Sequence, residues 1–197
     1  MNDCALFTVT FLENYSDDNL LDKQLRDIRW NTSVVEDVET STPLCLAIKQ
    51  ERYQEATKLI EEGADVDMGE GLFGSPMHLV IVRFELPIMK LLIEKSADLN
   101  RTDVDGNAPI HLLMQVYAKN RVSSPEMLRF LVMNGAELND RNKELWTPLH
   151  IAVRKGLEDA VQEIIRLNKI ISEKKQRGFD FNLLGGYHSW SVLHLAA

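Results

Sequence analysis

A short pattern of polar and apolar positions recurs five times along the chain. It begins with Ser, Thr or Ala, continues in four copies with Pro, then has an apolar residue and usually His, and ends in apolar or small residues. A hydroxyl residue followed by Pro favours the start of a helix, because the hydroxyl can cap the first turn and Pro lacks an N–H that would be unpaired there. Each copy therefore predicts the first turn of a helix. The copies begin at Thr42, Ser75, Ala108, Thr147 and Ser191.

The spacing between the copies adds a second signal. Their starts lie 33, 33, 39 and 44 residues apart, and a 33-residue period with a Thr-Pro-Leu-His-x-Ala core is typical of ankyrin repeats. The copy from Thr147 to Ala152 has this core in full. The chain therefore resembles the ankyrin-repeat family over roughly residues 42–197, which implies an all-α solenoid of stacked helix-turn-helix units joined by hairpin-like loops. We place the repeats at about residues 41–73, 74–106, 107–145 and 146–189, with a partial repeat at 190–197.

Departures from the pattern predict irregularities in the second and third repeats. Phe84 and Ser96 stand where the family usually has Gly, so we expect shifted or strained turns there. Six extra residues around 117–123 lengthen the third repeat, and we expect them to extend its first helix and to add a basic surface loop. Ser124 and Pro125 then predict the cap and the first position of the next helix.

The fourth and fifth repeats depart further. Eleven extra residues at about 168–178 lengthen the fourth. We interpret them as a longer helix, with a dedicated binding site as the alternative. The fifth copy stops at Ala197, inside its predicted first helix. Because the end repeats of a solenoid need a polar cap, we expect the natural protein to continue beyond this point.

The first 40 residues lack the repeated pattern and form a separate unit. They carry nine acidic residues against three basic ones, a net charge of −6. Cap candidates at 16–19 precede apolar residues on one helical face, which predicts a short amphipathic helix. We interpret residues 1–40 as a cap over the first repeat; a docking helix or an autoinhibitory segment is the alternative.

Composition narrows the classes of function. The chain has 197 residues, 45% of them hydrophobic, as in an ordinary globular protein, and its net charge of −8 argues against a general nucleic-acid binder. Cys4 and Cys45 lie far apart, which favours free thiols and a reducing compartment. The apolar run from Cys4 to Leu12 is too short to span a membrane and lacks the basic start of a signal peptide. We therefore expect a cytoplasmic protein, with a nuclear location as the alternative, and no membrane insertion.

The sequence offers no pattern for catalysis, a cofactor or a metal. Equivalent residues of stacked repeats lie about 8–10 Å apart, whereas a zinc site needs every ligand nitrogen within about 2.1 Å of the same ion. The pattern's own histidines therefore cannot share a metal, and the resemblance implies that they hydrogen-bond the turns of adjacent repeats. The glycine string at 69–74 lacks the βαβ setting of a dinucleotide site and is interpreted as a connector. These histidines are His78, His111, His150 and His194.

The resemblance implies a partner-binding face made of hairpin tips and the exposed ends of first helices. The residue just before each copy is one such position, and two copies have Trp there. Large aromatic residues are frequent hot spots, although each Trp could instead pack against its neighbouring hairpin. The helix ends are mildly basic, which suggests a partner with an acidic or extended segment. The candidate partner-binding residues are Trp146, Trp190, Arg83, Arg154, Lys155, Arg141, Phe73 and Asn107.

Two asparagines raise the question of modification. Asn100 and Asn139 each follow Leu and an acidic residue, with a further Leu eight positions upstream. This context resembles that of ankyrin asparagines modified by an iron-dependent asparaginyl hydroxylase. A structural role in the hairpin is the alternative.

Two functional hypotheses follow from these patterns. The first is a non-enzymatic module that binds a partner protein on the face formed by hairpins and first helices. The second is the N-terminal regulatory or substrate-recruiting domain of a larger enzyme, ubiquitin-ligase adaptor or ion channel. The partner's identity is not encoded in either pattern.

Overall fold

The described part of the protein is built almost entirely of helices. The structure is a computed structural model, and it describes residues 41–69, 74–173, 180, 182–186, 190–192 and 195. The chain divides into two compact units, residues 1–39 and 40–197, and the predicted N-terminal helix lies outside the described residues. The helices are α1 Pro43–Lys49, α2 Tyr53–Glu61, α3 Pro76–Arg83, α4 Leu86–Glu94, α5 Pro109–Val116, α6 Ser124–Met133, α7 Pro148–Arg154 and α8 Glu158–Glu173.

The helices form pairs that stack in chain order. First helices contact first helices, α1 to α3, α3 to α5 and α5 to α7, and among the second helices α2 contacts α4 and α6 contacts α8. Small buried residues such as Ala47 and Ala152 allow the close approach of α1 and α7 to their neighbours. The only strands in the described residues are β1 Leu184–Gly185 and β2 Trp190–Ser191, which pair antiparallel in the last hairpin. The predicted all-α class and the hairpin-like connections are confirmed.

The first helices start as the repeated pattern predicts. The hydroxyl of Thr42 accepts a hydrogen bond from the N–H of Cys45 at 3.1 Å. In the second repeat the histidine also bonds back to the cap residue, because the N–H of Ser75 donates to Nδ1 of His78 at 3.0 Å within a capping box. The same bond from histidine serves Ala108, whose N–H donates to Nδ1 of His111 at 3.2 Å. The histidine can therefore close the first turn even where no hydroxyl is present.

These caps fix the proton on each imidazole. Since Nδ1 of His78 and of His111 accepts an N–H, the proton sits on Nε2 of each ring. Nε2 of His78 donates to the carbonyl of Asn107 at 2.9 Å, and Nε2 of His111 donates to that of Asp140 at 3.1 Å. The predicted bond from histidine to the next repeat's turn is confirmed at both rings, whereas His194 lies outside the described residues.

The second repeat is strained where glycine was missing. Phe84 ends α3 with a φ of 57°, and Ser96 follows α4 with a φ of 64°. Both values lie in the left-handed region, which disfavours residues with a side chain. The prediction of strained turns is therefore confirmed.

The third-repeat insertion differs in one respect from its prediction. It does prolong the first helix, since a 3₁₀ turn over Tyr117–Lys119 follows α5 directly. The expectation that Ser124 caps α6 was wrong. Ser124 is the first helical residue, and its hydroxyl donates to the carbonyls of Tyr117 and Asn120 at 3.1 and 2.7 Å. The turn before α6 is closed instead by the side chain of Asn120, which accepts from the N–H groups of Val122 and Ser123.

The fourth-repeat insertion continues its helix, as interpreted from the sequence. Helix α8 runs from Glu158 to Glu173 and so extends past Leu167 into the inserted residues. Ile171 is 8% exposed, so the helix still contributes to the core there. Residues 174–179 lie outside the described residues.

The buried histidines make stability depend on pH. Burial lowers the pKa of His78 and of His111 below the ordinary value of 6.5. Below about pH 6.5 the unfolded state therefore binds more protons, and the free energy of unfolding falls as the pH drops towards 5, by at most about 1.4 kcal/mol per pH unit for each ring. Urea unfolding at pH 7.5, 6.5 and 5.5 measures this slope. His111→Asn should reduce the dependence of the free energy of unfolding on pH. An equal slope in the variant would contradict the claim that the buried His111 contributes to it.

Candidate partner-binding surface

The same side-chain turn shapes two successive hairpins. Oδ1 of Asp103 accepts from the N–H groups of Asp105 and Asn107 at 2.9 and 2.8 Å. One repeat later, Oδ1 of Asn142 accepts from those of Glu144 and Trp146 at 3.1 and 2.9 Å. Asp and Asn favour such turns because their short side chains reach the backbone two residues on. The turns place position 107 and position 146 equivalently, directly before α5 and α7.

Asn107 connects these two hairpins and does not face the solvent. Its side chain is 5% exposed. Its Oδ1 accepts from Nδ2 of Asn142 at 2.9 Å and from Nε2 of Gln115 at 3.3 Å, and its Nδ2 donates to Asp103 at 3.2 Å. The prediction that Asn107 contacts a partner is therefore corrected, because its buried side chain makes its hydrogen bonds within the protein.

Trp146 packs against the following hairpin. It is half-buried, and its ring lies against Gly186, where an added Cβ would come within 2.6 Å of Cη2 and Cζ2. At the neighbouring Gly185, an added Cβ would come within 2.8 Å of the His150 ring. The two glycines therefore allow the hairpin backbone to approach both rings. The packing alternative for Trp146 is present in the structure, while part of its surface remains accessible.

Arg154 lies over the ring of this tryptophan. Its guanidinium carbon lies 5.3 Å from the centre of the Trp146 ring, the geometry of a cation–π contact. The ring of His150 lies 5.8 Å away at 54°. The stack thus joins the end of α7 to the hairpin and holds an exposed cation over an aromatic ring.

The other predicted contact residues are placed as follows. Arg141 and Lys155 are exposed. Arg83 is largely engaged, because it pairs with Glu51 at 2.8 Å and donates to the carbonyl of Lys49 at 3.0 Å. Phe73 and the side chain of Trp190 lie outside the described residues.

The two asparagines proposed for hydroxylation hold the hairpins together. Oδ1 of Asn100 accepts from the N–H of Glu137 at 2.8 Å, and Oδ1 of Asn139 accepts from that of Asp180 at 2.8 Å. Asp67 makes the same bond to Asp98 one repeat earlier. The structural role weighed in the sequence analysis is therefore present, and hydroxylation stays a prediction.

Sequence reasoning missed Leu145. This residue has a φ of 65° and is 42% exposed at the hairpin tip. Gly106 holds the equivalent position, two residues before the next copy of the pattern, with a φ of 75°. The absence of Gly at position 145 was a signal in the sequence that could have drawn attention to it. We call the exposed hairpin residues and helix ends the hairpin face, and it includes Arg101, Val104, Arg141, Leu145, Trp146 and Arg154.

The described residues show no grouping suited to metal or membrane chemistry. Within them, no three His, Cys, Asp or Glu side chains come together as a metal site would require. None of the helices they form combines the length and apolar character needed to cross a bilayer.

Comparison with known proteins agrees with this architecture. Residues 113–197 match the sequence model of ankyrin repeats, in three copies. The palmitoyltransferase ZDHHC13 of Homo sapiens is 32% identical over 139 residues, 70% of this chain and 22% of that protein. The transient receptor potential cation channel subfamily A member 1 of Drosophila melanogaster is 27% identical over 143 residues, 70% of this chain and 11% of the channel. The chain therefore contains ankyrin repeats, and it spans less than a quarter of the length of either relative.

The packing of Trp146 on Gly186 can be tested by adding one methyl group. Gly186→Ala places a Cβ against the ring and also strains a residue whose φ is 70°. Gly156→Ala is the matched control, because Gly156 has a φ of 63° with no atom within 4 Å of the added Cβ. Urea unfolding followed by circular dichroism should show a loss of about 2–4 kcal/mol at Gly186 and about 1–2 kcal/mol at Gly156. Equal losses would show that the ring does not restrict the hairpin.

Proposed function

We propose that this chain is a non-enzymatic interaction module that binds a partner protein on the hairpin face, through an acidic or extended segment of that partner. Ankyrin repeats are a non-catalytic interaction fold, which supports the class of function. The stack of Arg154 on Trp146 carries the choice of surface. Aromatic residues and Arg dominate binding energy at interfaces, and this pair presents both at one accessible place.

The distribution of ion pairs supports an acidic partner. In the described part of the chain, four arginines outside the hairpin face pair with a carboxylate, and so does Arg83 at the end of the first helix α3. Arg101, Arg141 and Arg154 on the hairpin face form no such pair with a described residue. A planar guanidinium matches a carboxylate through two parallel hydrogen bonds. These three groups can therefore pair with a partner's Asp or Glu without first breaking an ion pair. The paired arginines are Arg52, Arg83, Arg121, Arg129 and Arg166.

A second candidate is that the module serves a larger protein. The matched relatives include a palmitoyltransferase and a cation channel, of which the aligned region is 22% and 11%. In that setting the same hairpin face recruits a substrate or regulates the larger protein. We place this binding function in the cytoplasm or nucleus, in keeping with Cys45, a buried thiol that donates to the carbonyl of Met68 and is not part of a disulfide.

The proposed surface is tested by charge reversal at its centre. We expect Arg154→Glu to abolish capture of partners that the wild type retains from a cell extract, and Trp146→Ala to weaken it by about 30-fold or more. Quantitative mass spectrometry of the retained proteins at low and high salt measures the effect, with circular dichroism to verify folding.

Arg129→Ala provides the control for this experiment. Arg129 lies on α6 and pairs with Glu163 at 2.5 Å, away from the hairpin face. Its retained proteins should match those of the wild type. The proposal fails if Arg154→Glu also leaves that set unchanged.

A further inference from the structure

We infer that Leu145 is a partner-contacting residue, held in a strained conformation so that it presents its side chain to a large apolar residue that lies beside a carboxylate in the partner. This inference rests on the proposed function and names the chemistry that the hairpin face recognises. It adds an apolar contact to the charged one at Arg154.

The conformation of Leu145 is unfavourable for its residue type. Its φ of 65° lies in the left-handed region, where the Cβ of an L-residue crowds the backbone. Gly106 occupies the equivalent place in the preceding hairpin without this penalty, with a φ of 75°. Burial of the leucine offsets this strain only in part, because 42% of the residue is exposed. Strained residues of this kind concentrate at binding and active sites.

Other left-handed residues give a useful contrast. Glu51 and Ser96 are exposed and also left-handed, but they are polar and water solvates them. Phe84 is apolar, but it is half-buried and so gains packing. Among the described residues, only Leu145 combines a left-handed backbone with an exposed large apolar side chain.

The backbone of Leu145 is fixed on both sides. Its N–H donates to the carbonyl of Asn142 at 2.9 Å, and its carbonyl accepts from the N–H of Gly186 at 3.1 Å. The position of the side chain is therefore set before any partner arrives. Such preorganisation reduces the entropy lost on binding.

The surroundings define the partner's chemistry. Exposed apolar side chains also lie on the neighbouring hairpins, with Val104 at 40% and Leu184 at 45% exposure. Arg141 is exposed on the same hairpin as Leu145, and Arg154 covers the adjacent Trp146. Arg141 and Arg154 lack a carboxylate partner among the described residues. The matching occupant is a protein segment in which Leu, Ile, Met or Phe stands next to Glu or Asp.

Synthetic peptides test this inference directly. The probes are fluorescein-labelled peptides of about twelve residues that contain one Leu or Phe flanked by Glu. Two matched series replace the apolar residue with Ser or each Glu with Lys. We expect the wild type to bind the Leu–Glu or Phe–Glu series in fluorescence anisotropy and to bind both matched series at least about tenfold more weakly, because each lacks one of the two contacts.

Leu145→Gly separates binding from folding. It should raise Tm by about 1–3 °C, because the strain is released, while it weakens the best peptide by about tenfold. Ser96→Gly is the matched control, since Ser96 has a φ of 64° at the end of α4. It should raise Tm similarly and leave the peptide's Kd unchanged.

Two results would overturn the inference. One is an unchanged Kd for Leu145→Gly with a raised Tm, which assigns Leu145 no contact with the peptide. The other is failure of every apolar–acidic peptide to bind the wild type. Neither result decides the proposed function, which depends on the Arg154→Glu capture experiment.

Discussion

The register between successive hairpins depends on polar side chains that bond to the backbone of the next repeat. Asp67, Asn100 and Asn139 each use one side-chain oxygen to accept the N–H at the start of the following hairpin. His78 and His111 add a second row of bonds deeper in the array. Because every repeat bonds only to its neighbours, these rows set the distance and rotation from one hairpin to the next. The position of any residue on the hairpin face follows from them.

Asn107 joins the two hairpins next to the candidate binding surface. Its side-chain oxygen accepts a hydrogen bond from the amide of Asn142, and its own amide donates to Asp103. The side-chain oxygen of Asn142 in turn accepts a hydrogen bond from the N–H of Trp146. A buried amide that lost these partners would leave polar groups unpaired, which costs about 1–3 kcal/mol. The hairpin face is therefore coupled to a buried polar network, because the backbone of Trp146 is held by Asn142 and Arg154 lies over the Trp146 ring.

Most of the fold could be predicted from the sequence because each first helix is encoded locally. The pair Thr42-Pro43 predicts a helix start, because Thr supplies a capping hydroxyl and Pro lacks an N–H. The repeat period of about 33 residues then predicts how the helices follow one another. The candidate site was harder to predict. Asn107 and Trp146 occupy equivalent positions in the pattern, yet one is buried and the other half-exposed. The side chain of Asn107 hydrogen-bonds to those of Asn142 and Gln115, whereas the ring of Trp146 packs against Gly186. That difference lies between repeats and cannot be obtained from one repeat's sequence.

Backbone strain was the second feature that was difficult to predict from the sequence. The family's usual Gly predicts the left-handed turn at Phe84, whereas the left-handed backbone of Leu145 becomes evident only when its position is matched with that of Gly106 in the preceding hairpin. Ser124 shows the opposite error. Its sequence is that of a cap, but Asn120 closes the turn, and the Ser124 hydroxyl donates to the carbonyl of Tyr117 in the preceding 3₁₀ turn.

The central claim is that the buried polar network positions the hairpin face, and amide hydrogen exchange of Asn107→Ala tests it most directly. We predict faster exchange at the N–H of Trp146, which loses its support through Asn142, while the N–H of Ala56 in α2 exchanges at the wild-type rate. An unchanged rate at Trp146 in a folded variant would contradict the account.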